Sequence, residues 1–332
     1  MKTTGNVSAL LQSFFTEYLM KQRQASPHTL NSYRDTFCLL LRYAQQRLKK
    51  PPSALALEDL DSPLIGGFLG HLEKERHNSA RSRNQRLAAI HSFFRHVALK
   101  RPEYSALIQR VLAVPNKRYD RRLLDFLTHA EVNAILDSPD PATWRGRRDR
   151  ALLTLAVQTG MRVSEIVGLR CSDIVLGTGA HVRCSGKGRK ERCTPLTKSC
   201  VSLLRSWLDE RRGADSAPLF PNARGGKLSR HGAFYILSTH ANAARRRCPS
   251  LEAKKISPHV LRHTAAMNLL QAGVDSSVIA LWLGHESVET TQIYIEADME
   301  LKEKILAKTA PPSGQVTRYQ AGDRLLTFLK GL

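Results

Sequence analysis

The residues best suited to chemistry in this chain of 332 residues are basic side chains and one tyrosine in its C-terminal half. Six of them occur in five short motifs: Arg162, Lys187, His259, Arg262, His285 and Tyr294. His259 and Arg262 are three residues apart, so a helix would place them on one face. Lys187 lies between two glycines at a predicted hairpin tip. Such a basic set is suited to binding a phosphate group.

Three other kinds of catalytic site are disfavoured by the sequence. The SGKG segment at 185–188 lacks the upstream glycine spacing and the Ser or Thr after Lys that a P-loop requires. His259 and His263 are four residues apart, as in zinc proteases, but Val260 stands where the general-base Glu is required. The acidic residues are scattered and do not resemble a two-metal nuclease site. We therefore predict neither a metal site nor a cofactor.

In their order and spacing these motifs resemble those of the tyrosine recombinase family, which includes phage integrases, Xer recombinases and transposon-encoded relatives. The resemblance covers nearly the whole chain and is strongest in 159–169, 186–196 and 258–294. Each motif alone is weakly specific, whereas five in the family's order are highly specific. The resemblance implies that Tyr294 is a nucleophile that forms a 3′-phosphotyrosyl link with DNA, without metal or ATP.

The same resemblance implies a role for each other member of the set. Arg162 and Arg262 would be the two signature arginines, and Lys187 would be the hairpin lysine. His259 and His285 would fill the two remaining catalytic positions. None of these positions departs from the family's pattern.

Other polar residues near the motifs receive smaller roles. Glu165 matches an acidic position close to the first arginine, so we expect it to support that arginine. His263, Trp282 and His240 are interpreted as packing residues, because nothing in their surroundings indicates more.

The chemistry of these side chains agrees with DNA strand transfer. A phosphodiester under attack gains charge on its non-bridging oxygens, which planar guanidinium groups can bind bidentately. Tyrosine has an ordinary pKa of about 10 and needs a proton acceptor at neutral pH, which by analogy is His259. Lys187 can protonate the 5′-hydroxyl leaving group, and His285 can add a hydrogen bond to the phosphate.

The first 115 residues show helical periodicity only. Ser26 followed by Pro27 predicts a helix start, and further helices are predicted to begin near Asp61 and after Ser79. Basic residues in the last of these helices and in the basic segment 114–124 are predicted to bind DNA: Arg81, Arg83, Arg86, Lys117 and Arg118. A solvated helix face is the alternative interpretation of the three helix arginines.

The pattern changes in the second half of the chain. Thr128 and Glu131 form a predicted capping box, and a helix is predicted over about 149–157. Three short strands follow, at 173–176, 180–184 and 192–196, and helices return from Leu196 onward.

The net charge of the chain restricts the class of molecule that it can bind. Lys and Arg number 51 and Asp and Glu 29, which gives a net charge of +22. Nucleic acid fits this surplus better than an anionic membrane, because no basic amphipathic anchor is evident. No signal peptide is evident and no apolar run approaches the roughly 20 residues of a membrane span, so a cytoplasmic, nucleoid-associated protein is predicted. The six cysteines form no Cys-x-x-Cys pair and are predicted to be free thiols.

The predicted fold is mainly α with a small antiparallel β-sheet in the catalytic domain, arranged as a two-domain DNA clamp. The predicted parts are a helical core-binding domain (1–115), a basic linker (116–127), a catalytic domain (128–310) and a C-terminal tail (311–332). A frayed tail and a helix that docks into a neighbouring subunit both fit the last segment. The predicted partner is double-stranded DNA at a specific recombination site, bound by a homotetramer on two sites, with or without a partner recombinase.

The sequence therefore predicts a site-specific DNA recombinase. An integrase or transposase of a mobile element is favoured by the extended tail and the divergent N-terminal half, and a Xer-like chromosome-dimer resolvase is the alternative. A type IB topoisomerase would share the tyrosine and the basic set but would relax DNA, and the separate helical domain argues against it. A non-catalytic DNA-binding regulator is disfavoured because all six catalytic positions are intact.

Overall fold

The computed structural model describes residues 6–119, 125–186 and 191–284, together with Thr291 and Tyr294. The chain divides into two compact units, Met1–Arg121 and Arg122–Leu332, each with its own core. The boundary lies within the segment predicted to be a linker. Within the described ranges, none of the helices combines the length and apolar character needed to span a membrane.

Within its described residues, the first unit consists of helices joined by short non-helical segments, with one isolated β-bridge between Asn6 and Ala56. Its α-helices are α1 (Val7–Ser13), α2 (Pro27–Leu48), α3 (Ser62–Lys74), α4 (Ala80–Lys100) and α5 (Ser105–Leu112). A π-helix, Phe14–Gln22, continues α1, and short 3₁₀ turns occupy Pro52–Ala54, Leu57–Asp59 and Pro102–Tyr104.

The predicted helix starts in this unit are confirmed by their caps. The side chains of Ser26, Asp61 and Ser79 each accept a hydrogen bond from a backbone N–H of the first turn, which satisfies a donor that the helix cannot use. The apolar faces of these helices meet in one core, in which Phe14 contacts Phe93 edge-on at 5.5 Å between ring centroids. Helix α5 was not predicted.

The second unit combines helices with a three-stranded sheet. Its elements are α6 (His129–Leu136), α7 (Trp144–Thr159), α8 (Val163–Ile166), β1 (Ile174–Val175), β2 (His181–Ser185), β3 (Glu191–Pro195), α9 (Lys198–Arg211), α10 (Arg230–Ala244), α11 (Pro258–Gln271) and α12 (Ser276–Leu283). Short 3₁₀ turns occupy Cys171–Asp173 and Pro249–Ala253. The sheet is antiparallel in the order β1-β2-β3, and Cys184 pairs with Arg192.

Most of the predicted elements of this unit are confirmed, including the three strands and the Thr128 capping box. Helix α7 begins five residues earlier than 149, because Thr143 caps it through the Gly146 N–H. Helix α7 packs against α11 and α9 in the main core. A smaller apolar cluster joins α11 and α12 to the ring of Tyr294. The predicted C-terminal tail lies outside the described residues.

Candidate active site

Two helix ends in the second unit form the base of the candidate site. Helix α7 ends at Gly160 and α12 ends at Gly284, and both glycines adopt left-handed backbone angles, with φ of 62° and 66°. A Cβ at Gly160 would lie 2.6 Å from Leu283 Cδ2, and one at Gly284 would lie 2.7 Å from Arg192 Nη1. Conformation and space therefore both favour glycine at these two positions. These turns direct backbone carbonyls toward two arginines.

Arg262 is fixed by these carbonyls. It lies on α11, is buried, and donates from Nη1 to the Gly160 carbonyl at 2.7 Å and from Nη2 to the Leu283 carbonyl at 2.8 Å. Burial lowers the pKa of the Arg262 guanidinium to about 10, and the charge of Arg162 acts in the same direction. The group still carries its charge at neutral pH.

Arg162 is the more accessible of the two arginines. It precedes α8, and its side chain is 29% exposed. Nη1 donates to Glu165 Oε1 at 3.0 Å, and Nη2 donates to the Gly284 carbonyl at 3.1 Å. Because Arg162 and Arg262 bind consecutive carbonyls at the end of α12, their two charges are brought together at one place.

Glu165 joins Arg162 to a third arginine, which lies outside the predicted set. Arg192, on β3, donates from Nη1 to Glu165 Oε1 at 3.1 Å and from Nη2 to Oε2 at 2.8 Å. The Arg162 backbone N–H also donates to Oε2, at 2.8 Å. The carboxylate thus accepts four hydrogen bonds, two of them from Arg162, the residue that we expected it to support.

This cluster is buried and strongly paired. The side chains of Glu165 and Arg192 are only 4% and 12% exposed. Burial alone would raise the pKa of the Glu165 carboxyl, but the hydrogen bonds and charge of Arg192, together with Arg162, lower it below its ordinary value. A signal for Arg192 was available in the strand pattern, because it alternates with the exposed Glu191 and Cys193 and therefore faces inward, where a charge requires a partner.

Tyr294 is buried beside the two arginines. It is 2% exposed and belongs to the apolar cluster that includes Met267 and Leu283. Burial raises the pKa of the Tyr294 phenol above its ordinary value of 10.0 and outweighs the charges of Arg262 and Arg162, which lower it. The phenol is therefore protonated at neutral pH, and any attack by its oxygen requires a proton acceptor.

His263 contacts the phenol, which its interpretation as a packing residue did not include. A hydrogen bond joins His263 Nδ1 to Tyr294 Oη at 3.0 Å. Burial lowers the pKa of His263 to about 4, and the nearby charges of His259 and Arg262 act in the same direction. The His259 ring lies one turn earlier on α11, with its centroid 6.4 Å from that of His263.

The remaining catalytic positions and packing residues are placed as follows. Lys187 and His285 lie outside the described residues, so the structure does not test them. His240 lies within the unit and makes polar contacts there: its ring is within hydrogen-bond distance of Ser138 Oγ at 3.1 Å and of Asp149 Oδ2 at 3.2 Å. Trp282 packs against the cluster that holds the Tyr294 ring. Within the described ranges, no three His, Cys, Asp or Glu residues are grouped so as to hold a metal ion.

The residues predicted to bind DNA separate into two groups. Arg81, Lys117 and Arg118 line an open groove of about 890 Å³ in the first unit, with Asn84 and Gln85 between them. Asn84 fixes this groove, because it donates to the Lys117 carbonyl at 2.8 Å and accepts from the Lys117 N–H at 2.9 Å.

The other two arginines have internal partners. Arg83 donates to the Pro115 carbonyl at 2.7 Å, and Arg86 donates to the Ser32 carbonyl and to Thr36 Oγ1, both at 3.0 Å. These bonds attach α4 to the segment that follows α5 and to α2. The structure therefore brings Arg81, Lys117 and Arg118 together and directs Arg83 and Arg86 elsewhere.

A helical unit, followed by a unit in which a buried tyrosine lies beside two carbonyl-bound arginines, defines a two-domain tyrosine recombinase. The profile of the phage integrase family matches residues 125–300, and that of the phage integrase N-terminal SAM-like domain matches residues 13–100. The chain belongs to the phage integrase family, whose members cleave and rejoin DNA strands. The predicted family, fold class and kind of enzyme are confirmed.

Individual relatives agree with this assignment. The chain is 58% identical to a candidate integrase/recombinase of Sinorhizobium fredii, y4rC, over the full length of both. It is 34% identical to tyrosine recombinase XerC of Pelobacter propionicus, over 90% of this chain and 94% of that protein. The crystal structure of XerH site-specific recombinase bound to palindromic difH, a post-cleavage complex, matches with a TM-score of 0.69 and 25% identity, over 86% of this chain and 81% of that one.

Proposed function

We propose that this protein is a site-specific recombinase in which Tyr294 attacks a DNA phosphate bound by Arg162 and Arg262. The observation that carries the proposal is the burial of the Tyr294 phenol beside two guanidiniums that bind consecutive backbone carbonyls. Their positive charge is fixed before DNA arrives, so little reorganisation is needed when negative charge develops on the phosphate.

In the proposed reaction, Tyr294 Oη forms a bond to phosphorus while the bond from phosphorus to the 5′ oxygen breaks. The phenol proton passes to His259, and Lys187 protonates the departing 5′ oxygen, while His285 donates to the phosphate. Support for these three roles is their position in the family's motifs. The 3′-phosphotyrosyl product is then attacked by the 5′-hydroxyl of a second strand, which reverses the step and frees the tyrosine.

We propose that the groove lined by Arg81, Lys117 and Arg118 binds the phosphates of double-stranded DNA. The net charge of +22 supports a polyanionic partner, and the amides of Asn84 and Gln85 could reach base edges as well as phosphates. Because each chain carries one such nucleophile and exchange between two duplexes requires four strand cleavages, a homotetramer on two sites is the expected assembly.

The biological role that we favour is integration or transposition of a mobile element. Full-length identity of 58% to a candidate integrase/recombinase supports it. Chromosome-dimer resolution, with or without a partner recombinase, is the second candidate, and the 34% identity to a XerC recombinase favours it.

The test is covalent trapping of DNA in EDTA. Nicked duplex fragments from the flanks of the gene are incubated with the full chain, and a protein–DNA band is sought on a denaturing gel. Tyr294→Phe should abolish the band, whereas Tyr235→Phe, which alters an exposed tyrosine on α10, should leave it unchanged. A band that survives Tyr294→Phe would show that another residue is the nucleophile.

Two further outcomes separate the rival functions. Specific binding without a band in any variant would indicate a non-catalytic regulator or the need for a partner. Relaxation of a supercoiled plasmid that lacks the flanking DNA would indicate a topoisomerase.

A further inference from the structure

We propose that His263 positions the nucleophile, holding the Tyr294 phenol oxygen through Nδ1 in a fixed place beside Arg262. The role rests on the proposed function of Tyr294. Neither the sequence motifs nor the chemistry assigned to the other residues requires this contact. Its basis is the 3.0 Å distance between Nδ1 and Oη, with the two ring centroids 5.6 Å apart at 57°.

The register of α11 makes His263 suitable for this task. It directly follows Arg262, whose guanidinium is bound by two carbonyls that end other helices. The backbone of His263 is therefore held relative to the phosphate-binding arginine. The hydrogen bond between this side chain and the Tyr294 phenol determines how far the attacking oxygen lies from the guanidinium, and such distances strongly affect reaction rates.

The surrounding charges indicate that His263 acts as a neutral partner. The groups that face it are His259 on the preceding turn, Arg262 beside it, Tyr294, and Asp125, whose negative charge acts in the opposite direction. Burial and the two basic neighbours outweigh Asp125 and disfavour an imidazolium. A neutral ring can accept a hydrogen bond from the phenol at Nδ1, whereas an imidazolium could only donate. His263 therefore orients the phenol, and the proton that leaves during attack goes to another group.

The contact is tested first without DNA. Tyrosine labelled with ¹³C at Cζ is incorporated into the full chain, and the signal lost in Tyr294→Phe identifies Tyr294 among the eight tyrosines. His263→Phe keeps an aromatic ring but removes the hydrogen bond, so the Tyr294 signal should shift. His263→Asn can place an amide group near the position of Nδ1, so it should return the signal toward its original position. An unchanged signal in His263→Phe would refute the contact.

The consequence is tested by single-turnover trapping on the same nicked fragments. His263→Phe should reduce cleavage on the order of 100-fold, as expected for a misplaced reacting group, with DNA affinity unchanged. His263→Asn should recover most of the rate. A 5′-phosphorothiolate at the scissile position has a better leaving group and bypasses leaving-group protonation, so it should not rescue His263→Phe if the defect lies in the nucleophile.

A control and three contrary results complete the design. His240→Phe alters another half-buried histidine of the same unit, away from the described site contacts, and should cleave normally. Full cleavage by His263→Phe, or its rescue by the phosphorothiolate, would overturn the proposal. Absence of a band with the unaltered chain would indicate a non-catalytic regulator or the need for a partner, and the NMR result would still decide the contact between His263 and Tyr294.

Discussion

Replacing Glu165 by Gln removes a negative charge that two arginines share. The carboxylate accepts four hydrogen bonds, two from Arg162 and two from Arg192, and its side chain is only 4% exposed. A glutamine amide has one oxygen, so its NH₂ group would face N–H donors of the arginines. The nearly buried charge of Arg192 would then lose its partner.

The size of the expected loss of unfolding free energy follows from the burial of this ion pair. Removing one member of a buried ion pair costs about 3–5 kcal/mol of unfolding free energy. For a unit of this size, each kcal/mol lowers the melting temperature by about 2–4 °C, so we expect Glu165→Gln to lower it by roughly 10 °C. The assay is scanning calorimetry of the full chain at neutral pH.

Glu210→Gln provides the matched control. Glu210 also receives two hydrogen bonds from one arginine, Arg147, both at 2.7 Å, but this pair is much more exposed, at 28% and 40%. Exposed pairs contribute little, so its melting temperature should change far less. Equal shifts in the two variants would refute the argument from burial. The double variant Glu165→Met, Arg192→Met should be more stable than Glu165→Gln, because it removes both charges of the pair.

Three further predictions concern pH, catalysis and DNA binding. The folded-state pKa of Glu165 is lowered, so its contribution to the free energy of unfolding is present above the ordinary value of 4.5 and is lost as pH falls through the lower folded value. The unaltered protein and Glu165→Gln should therefore converge in stability in acid. Thermal unfolding between pH 3 and 7 measures this convergence. Arg262→Lys should reduce covalent trapping by about 10²–10³-fold at unchanged DNA affinity, since one ammonium cannot reproduce a fork bound to two carbonyls; trapping at the unaltered rate would contradict it. Arg81→Ala should weaken DNA binding and reduce the steepness of log affinity against log salt by about 1. Arg86→Ala should leave that slope unchanged and lower thermal stability, because Arg86 bonds within the unit. Equal slopes for the two variants in a gel-shift series would contradict the assignment of Arg81 to the DNA-binding groove.

Local sequence signals accounted for most of the elements. Ser26, Asp61 and Thr128 each predicted a helix start, because a capping side chain bonds to a backbone N–H only a few residues away. The hairpin strands were predicted by the change of period and by the turn of glycine and basic residues between them. Helix α5 was missed because it is short and lacks a side-chain cap.

The sequence by itself determined the family and the identity of the candidate catalytic residues, since ordered motifs are visible without knowing what touches what. Only the tertiary structure showed which partner each residue has. Arg192 meets Glu165 across 27 residues of chain, and His263 meets Tyr294 across 31. No periodicity records such pairings, because they depend on how α8, α11 and the sheet pack together. Burial follows from that packing, and it is burial that gives these charges and hydrogen bonds their influence on pKa and stability.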